Sequence, residues 1–153
     1  MFSIFGKKVN HFFSPEENQR IVAAIRDAER VTSGEIRIYV ESHCRFMDPV
    51  DRAVELFYGL KMEKTEQRNG VLLYIATKDH QLALYGDEGI HQKVGNDFWN
   101  AEVKQILDAF NAAHFADGVI QIVKEVGEAL QAHFPYTADT DKNELPDEIV
   151  FGK

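Results

Sequence analysis

Arg68-Asn69-Gly70-Val71-Leu72-Leu73-Tyr74-Ile75-Ala76-Thr77-Lys78-Asp79-His80-Gln81-Leu82-Ala83-Leu84-Tyr85-Gly86-Asp87-Glu88-Gly89-Ile90 reads as two buried strands joined by a short polar turn. Val71 to Ala76 is almost continuously apolar, the pattern of a central strand covered on both sides. A hairpin brings the start of its first strand beside the end of its second. Asn69, Gly70, Gly86 and Asp87 are therefore expected on one edge of a sheet.

The flanking sequence extends the sheet. Ser14-Pro15-Glu16-Glu17 is a helix start, with Ser14 as cap, Pro15 at the first helical position and Glu17 closing a capping box. Ile21, Ala24, Ile25 and Ala28 then share one helical face, and Thr32-Ser33-Gly34 ends the helix. From Glu35 to Ser42 apolar and polar residues alternate, predicting a strand with Ile36, Ile38 and Val40 inward and Arg37, Tyr39 and Glu41 outward. Asp48-Pro49 opens a second helix carrying Val50, Ala53, Val54 and Phe57, and the charged stretch 61–69 reads as a loop. A strand–helix–strand unit is parallel and right-handed in nearly every case. Strand 35–42 should thus lie parallel to 70–76, with helix 49–60 crossing over and strand 81–86 returning antiparallel. Asn96 can cap a helix with Trp99, Val103, Ile106 and Phe110, and Asp117 one with Val119, Ile122, Val123, Val126 and Leu130. The expected fold is α/β, a mixed sheet between helices with a helical C-terminal half: an extension over 1–13, a domain over 14–135 and a flexible acidic tail over 136–153.

This topology gathers the starts of strands 35–42 and 70–76 and the end of strand 81–86. Glu35, Asn69 and Asp87 should meet there, with Arg68 and Glu88 in reach. Oxygen donors from separate loops are what calcium or magnesium requires. The competing explanation is that Ser33-Gly34, Asn69-Gly70 and Asp87-Glu88-Gly89 are turn residues chosen for backbone geometry. Asp117 is most simply a helix cap, and joins the cluster only if its helix starts at that edge.

Other chemistries find little footing. A net charge of -8 over 153 residues opposes nucleic-acid binding, which needs a basic face. The single cysteine, Cys44, forbids an intrachain disulfide, and its surroundings lack the glycine-rich loop of a cysteine phosphatase. No HExxH, Walker loop or GxSxG is present. Asp139-Thr140-Asp141-Lys142-Asn143 resembles the opening of an EF-hand loop, but Glu144 stands where that loop needs glycine and Val150 where it needs glutamate. The apolar residues of 1–13 are broken by Gly6, Lys7, Lys8, Asn10 and His11, unlike a signal peptide, and no apolar run approaches membrane-spanning length. A cytoplasmic location is expected.

Taken in order, Ser14-Pro15-Glu16-Glu17, Thr32-Ser33-Gly34-Glu35-Ile36, Arg68-Asn69-Gly70-Val71-Leu72-Leu73, Gly86-Asp87-Glu88-Gly89 and Asp117-Gly118 resemble the TPM domain family over roughly residues 14 to 134. The resemblance implies an α/β sandwich and a surface cluster of acidic and polar residues that binds divalent cations, calcium in particular. Carried over by position, that cluster is Glu35, Asn69, Asp87 and Asp117. A regulatory or partner-binding role would follow from it. Phosphatase activity is reported for some members of the family, which implies an alternative: metal-assisted hydrolysis of phosphate esters, with Arg68 holding a phosphate oxygen. Many members are exported with an anchor or glycine-rich tail, and this chain resembles the short cytosolic form.

Overall fold

The structure is a computed structural model that describes residues 12–109, 114–136 and 149–152. Helix α1 spans Pro15–Glu29 and opens on the expected capping box: the Glu17 amide donates to Ser14 Oγ (3.1 Å) and the Ser14 amide to Glu17 Oε1 (2.8 Å). Strand β1 (Glu35–Glu41) leads to helix α2 (Pro49–Gly59), capped by Asp48, and then to β2 (Gly70–Ala76) and β3 (Gln81–Gly86). Helices α3 (Glu88–Ala109) and α4 (Phe115–His133) follow, and β4 (Val150–Phe151) closes the order. The sheet runs β3-β2-β1-β4, with β1 parallel to β2 and to β4, and β3 antiparallel to β2.

The period of two in each strand sorts side chains between two layers. Ile36, Ile38, Val40, Val71, Leu73, Ile75, Leu82 and Leu84 join Ile21 and Ile25 of α1 and the apolar faces of α3 and α4 in the main core. The opposite face carries Leu72, Tyr74, Ala76 and Ala83, covered by Ala53 and Phe57 of α2 and by Met62. β2 is buried along its whole length. Its apolar run is the direct record of being sandwiched.

Several boundaries move. Phe13 is buried in the main core and stacks on Phe115, so the domain begins before Ser14. Val150 and Phe151 pair with Tyr39 and Val40, which brings the end of the expected tail into the sheet. The helix expected after Asn96 is present, but a helical segment from Glu88 precedes it within α3. The two are joined across a kink at Gly95, whose φ of 76° and ψ of 173° are non-helical. Gly89 must be glycine for a contact reason: a Cβ there would lie 2.1 Å from the Gln67 carbonyl oxygen and 2.6 Å from that of Arg68. Asp117 sits in the first turn of α4, but the cap position belongs to His114. Val50 is half exposed rather than core, and Glu41, expected outward, is buried. Phe110, the 139–144 motif and residues 1–11 lie outside the described residues. No helix among the described residues is long and apolar enough to cross a membrane.

Candidate functional site

The register places Glu35 opposite Gly70, and Gly70 opposite Asp87, whose amide donates to the Gly70 carbonyl (2.9 Å). Glu35 and Asp87 thus flank a glycine in one row across three strands, with backbones about 10 Å apart. The pleat turns that row toward α2, since a Cβ on Gly70 would lie 3.2 Å from the Met62 carbonyl oxygen. The Glu35 amide donates to the Asn69 carbonyl (3.3 Å), binding the two strand starts together. Glu35, Asn69 and Asp87 are all buried.

Asp87 is the centre of this edge. Arg68 grips it through a two-toothed contact, Nε to Oδ2 at 2.7 Å and Nη2 to Oδ1 at 2.9 Å, and also reaches Glu88 at 3.3 Å. The Glu88 amide, at the start of α3, donates to Asp87 Oδ1 (2.8 Å), where the helix dipole favours negative charge. Arg68 stands at φ 52°, a left-handed backbone that a non-glycine residue adopts at a cost. That turn is fastened by the Gly89 amide on the Arg68 carbonyl (2.8 Å) and by Thr65 Oγ1, which accepts from the Asn69 amide (3.3 Å). Asn69 spends its Nδ2 on Ser33 Oγ (3.2 Å), while its buried Oδ1 meets no hydrogen-bond partner among the described residues.

Asp117 does not join them. The Ser33 amide bonds the Phe134 carbonyl, and a Cβ on Gly34 would strike Leu130, so it is the C-terminal end of α4 that lies beside the start of β1. At 1.5 Å per residue, Asp117 lies about 25 Å further along that helix. There it pairs with Arg20, which holds its carboxyl below the usual range, and lies 3.4 Å from His114. The condition for Asp117 to join the cluster, that its helix start at that edge, is not met: α4 ends there.

The donor chemistry of Glu35, Asn69 and Asp87 suits a hard cation. Their arrangement is that of a site with a cation already built in, because both oxygens of Asp87 are engaged by Arg68. Among the described residues no three Asp, Glu, His or Cys side chains are grouped to hold a metal ion.

The opposite edge holds a network that the sequence reading missed. Glu41 accepts from Arg52 Nε (2.9 Å) and Nη2 (3.0 Å) and from the Tyr74 hydroxyl. Burial, first, and the bond to Glu41 push the Tyr74 phenol well above its ordinary range. Arg37, Tyr39 and Glu41 share the strand face that a crossover helix must cover, and that signal was available. Nearby, Asp79 bonds His43 Nδ1 (2.8 Å) and the Cys44 amide (2.7 Å). Burial raises the Cys44 thiol, the reverse of nucleophile activation.

Residues 8–129 match the family model described as TPM domain. The fold superposes on the NMR structure of BA42 protein from the psychrophilic bacterium Bizionia argentinensis with a TM-score of 0.85 and 41% sequence identity, covering 95% of this chain and 99% of that one. The N-terminal domain of a P. gingivalis protein matches at TM-score 0.66 and 15% identity, over 90% of this chain and 99% of that one. The N-terminal domain of cg2496 protein from Corynebacterium glutamicum matches at 0.62 and 16%, over 78% and 75%. These last two speak for the fold alone. No curated protein matches the chain.

Proposed function

Because the chain belongs to the TPM domain family, we propose that it is a divalent-cation-binding module that takes calcium or magnesium at Glu35, Asn69 and Asp87. The observation that carries this reading is the buried Asp87 carboxylate held by a partly exposed Arg68, next to an Asn69 Oδ1 that lacks a partner. A buried carboxylate needs a compensating positive charge. Arg68 meets that need in the resting protein, and its side chain has a solvent face along which to leave. A divalent ion competing for the same carboxylate offers twice the charge and gives Asn69 Oδ1 a partner. Hydrolysis of phosphate esters draws less support, since Arg68 is engaged by Asp87 and Glu88 and the Cys44 thiol is at the other edge.

The test is NMR shift mapping with calcium and with magnesium on wild type and Asp87→Asn. Amide resonances of Ser33 to Glu35, Arg68 to Gly70 and Asp87 to Gly89 should move at millimolar ion in wild type and stay still in the variant. Shifts confined to other carboxylates, or none at all, would remove the proposal.

A further inference from the structure

A cavity of about 410 Å³ lies between α2 and α3, within the size range of small-molecule sites. Val50 and Tyr58 of α2 line it, with His91 and Trp99 of α3 and Tyr85 of β3. Its mouth is open: Val50 and Tyr58 are about half exposed, and Asn96 and Asn100, which also line it, are exposed. Trp99 Nε1–H donates to His91 Nδ1 (3.0 Å). A ring nitrogen that accepts carries no proton, so the N–H of this imidazole is on Nε2. No hydrogen bond among the described residues takes up that N–H, or the side-chain amides of Asn96 and Asn100.

The same cavity reaches the carboxylate edge, since Arg68, Asp87 and Glu88 line it too. In the resting protein one guanidinium meets two carboxylates there, so the local charge is negative and an anion is repelled. A divalent cation on Asp87 turns that sum to a single positive charge. It also competes for the carboxylate that occupies Nε and Nη2 of Arg68. The Arg68 side chain is 34% exposed and already borders the cavity, so the fork it loses on Asp87 becomes available to a ligand.

We propose that this cavity binds a small carboxylate carried on a flat apolar body, and that it does so when a divalent cation holds Asp87. The ligand's carboxylate takes the place of Asp87 in the arginine fork, a like-for-like exchange in two-toothed geometry. The Nε2–H of His91 and the two asparagine amides supply further donors, and Tyr58, Tyr85 and Trp99 cover the apolar body. A monoanion balances the single positive charge, whereas a phosphate dianion exceeds it. Cation and ligand then strengthen each other's binding by the same factor. The inference rests on the cation reading of Asp87 and adds to it what the displaced arginine receives. The competing account is that the cavity is only a seam between α2 and α3, with Arg68 a fixed partner of Asp87.

The probe is naphthalene-2-carboxylate, titrated into the full chain with and without millimolar calcium. Binding is followed by NMR through the indole N–H of Trp99, the one tryptophan of the sequence. With calcium that signal and the His91 and Asn100 amides should move, and omitting calcium should weaken binding about tenfold or more. Asp87→Asn removes the charge that holds Arg68, so it should bind the probe without calcium about as tightly as wild type does with it. Val50→Glu, on a half-exposed wall position, should weaken the probe about tenfold while the calcium shifts at Asp87 persist. Naphthalene-2-methanol and 2-naphthyl phosphate should each bind about tenfold or more weakly than the carboxylate. Calcium shifts without probe binding, in wild type and in Asp87→Asn, would overturn the inference and leave the cation reading standing. Probe binding to Asp87→Asn with no calcium shifts in wild type would remove the cation reading and uphold the ligand. Equal binding of the alcohol, tighter binding of the phosphate, or shifts confined to the α1–α4 face would overturn it.

Discussion

The two edges of the parallel strand pair use the same chemical device, a buried carboxylate in the fork of an arginine, and differ in what surrounds it. At the C-terminal edge Glu41 holds Arg52 and the Tyr74 hydroxyl, and Arg52 also holds Glu55. Tyr74 is wholly buried, so the network is enclosed on the sheet side and fully partnered at its centre. At the N-terminal edge Asp87 holds Arg68, but the arginine rises from a loop, carries more exposure, and stands beside an amide oxygen without a partner. The same ion pair is a fastening where it is enclosed and an exchangeable contact where it borders a loop. Another buried carboxylate, Glu102, shows a different solution. Its charged neighbours are Glu125 and Glu128, and burial and those charges push its pKa up to about 7. Below about pH 7 it keeps a proton instead of a cation.

The comparison breaks most visibly at Arg52. Arg52→Met strands Glu41 as a buried carboxylate with only a phenol beside it. Urea denaturation should show a loss of about 3 kcal/mol, and calcium should not restore it. A loss below about 1 kcal/mol, the range of an ordinary surface pair, would mean that the network is no fastening. Arg68→Gln should lower the melting temperature less, and millimolar calcium should recover more of that loss than it adds to wild type, because ligand binding to the native state stabilises it by mass action. If both variants respond alike to calcium, the two edges are not different in kind.

Glu102 sharpens the contrast through pH. Its folded pKa of about 7 lies above the ordinary 4.5, so the native state binds the proton more tightly. The stability this supplies is complete below the ordinary value and is lost as pH rises through about 7. Glu102→Gln should therefore melt a few degrees above wild type near pH 8 and close to it near pH 5. A constant offset at both pH values would show that Glu102 does not titrate as argued. The smallest effect belongs to Asp117→Asn. Its pair with Arg20 is half exposed and screened by salt, so the melting temperature should stay within about two degrees. Calcium shifts at Asp87 should be untouched. A lost calcium response in this variant would place Asp117 back in the site against the geometry of α4.

Much of the carboxylate edge was legible before any coordinates. The crossover rule and the hairpin put Glu35, Asn69 and Asp87 together. The structure has Glu35 and Asp87 in one row on either side of Gly70, with Asn69 immediately before that glycine. The α3 start was hidden because Gly89, required by the carbonyls of Gln67 and Arg68, made Gly86 to Gly89 look like a turn. Ile90 is buried and Val94 partly so, four residues apart, which is the faint helical signal that remained.

What the sequence determined by itself is therefore local and topological: where the strands lie, which run parallel, and which loop residues share an edge. Alternation, capping and chirality act over a few residues or one connection, and they leave their record in residue order. Tertiary structure alone decided that α4 ends rather than begins at the carboxylate edge, that Val150 and Phe151 complete the sheet, and that arginines grip Asp87 and Glu41. Those outcomes depend on which way a helix packs and which charges burial forces together. A buried charge must find a counter-charge wherever the packed fold supplies one, and that choice is made in space and not along the chain.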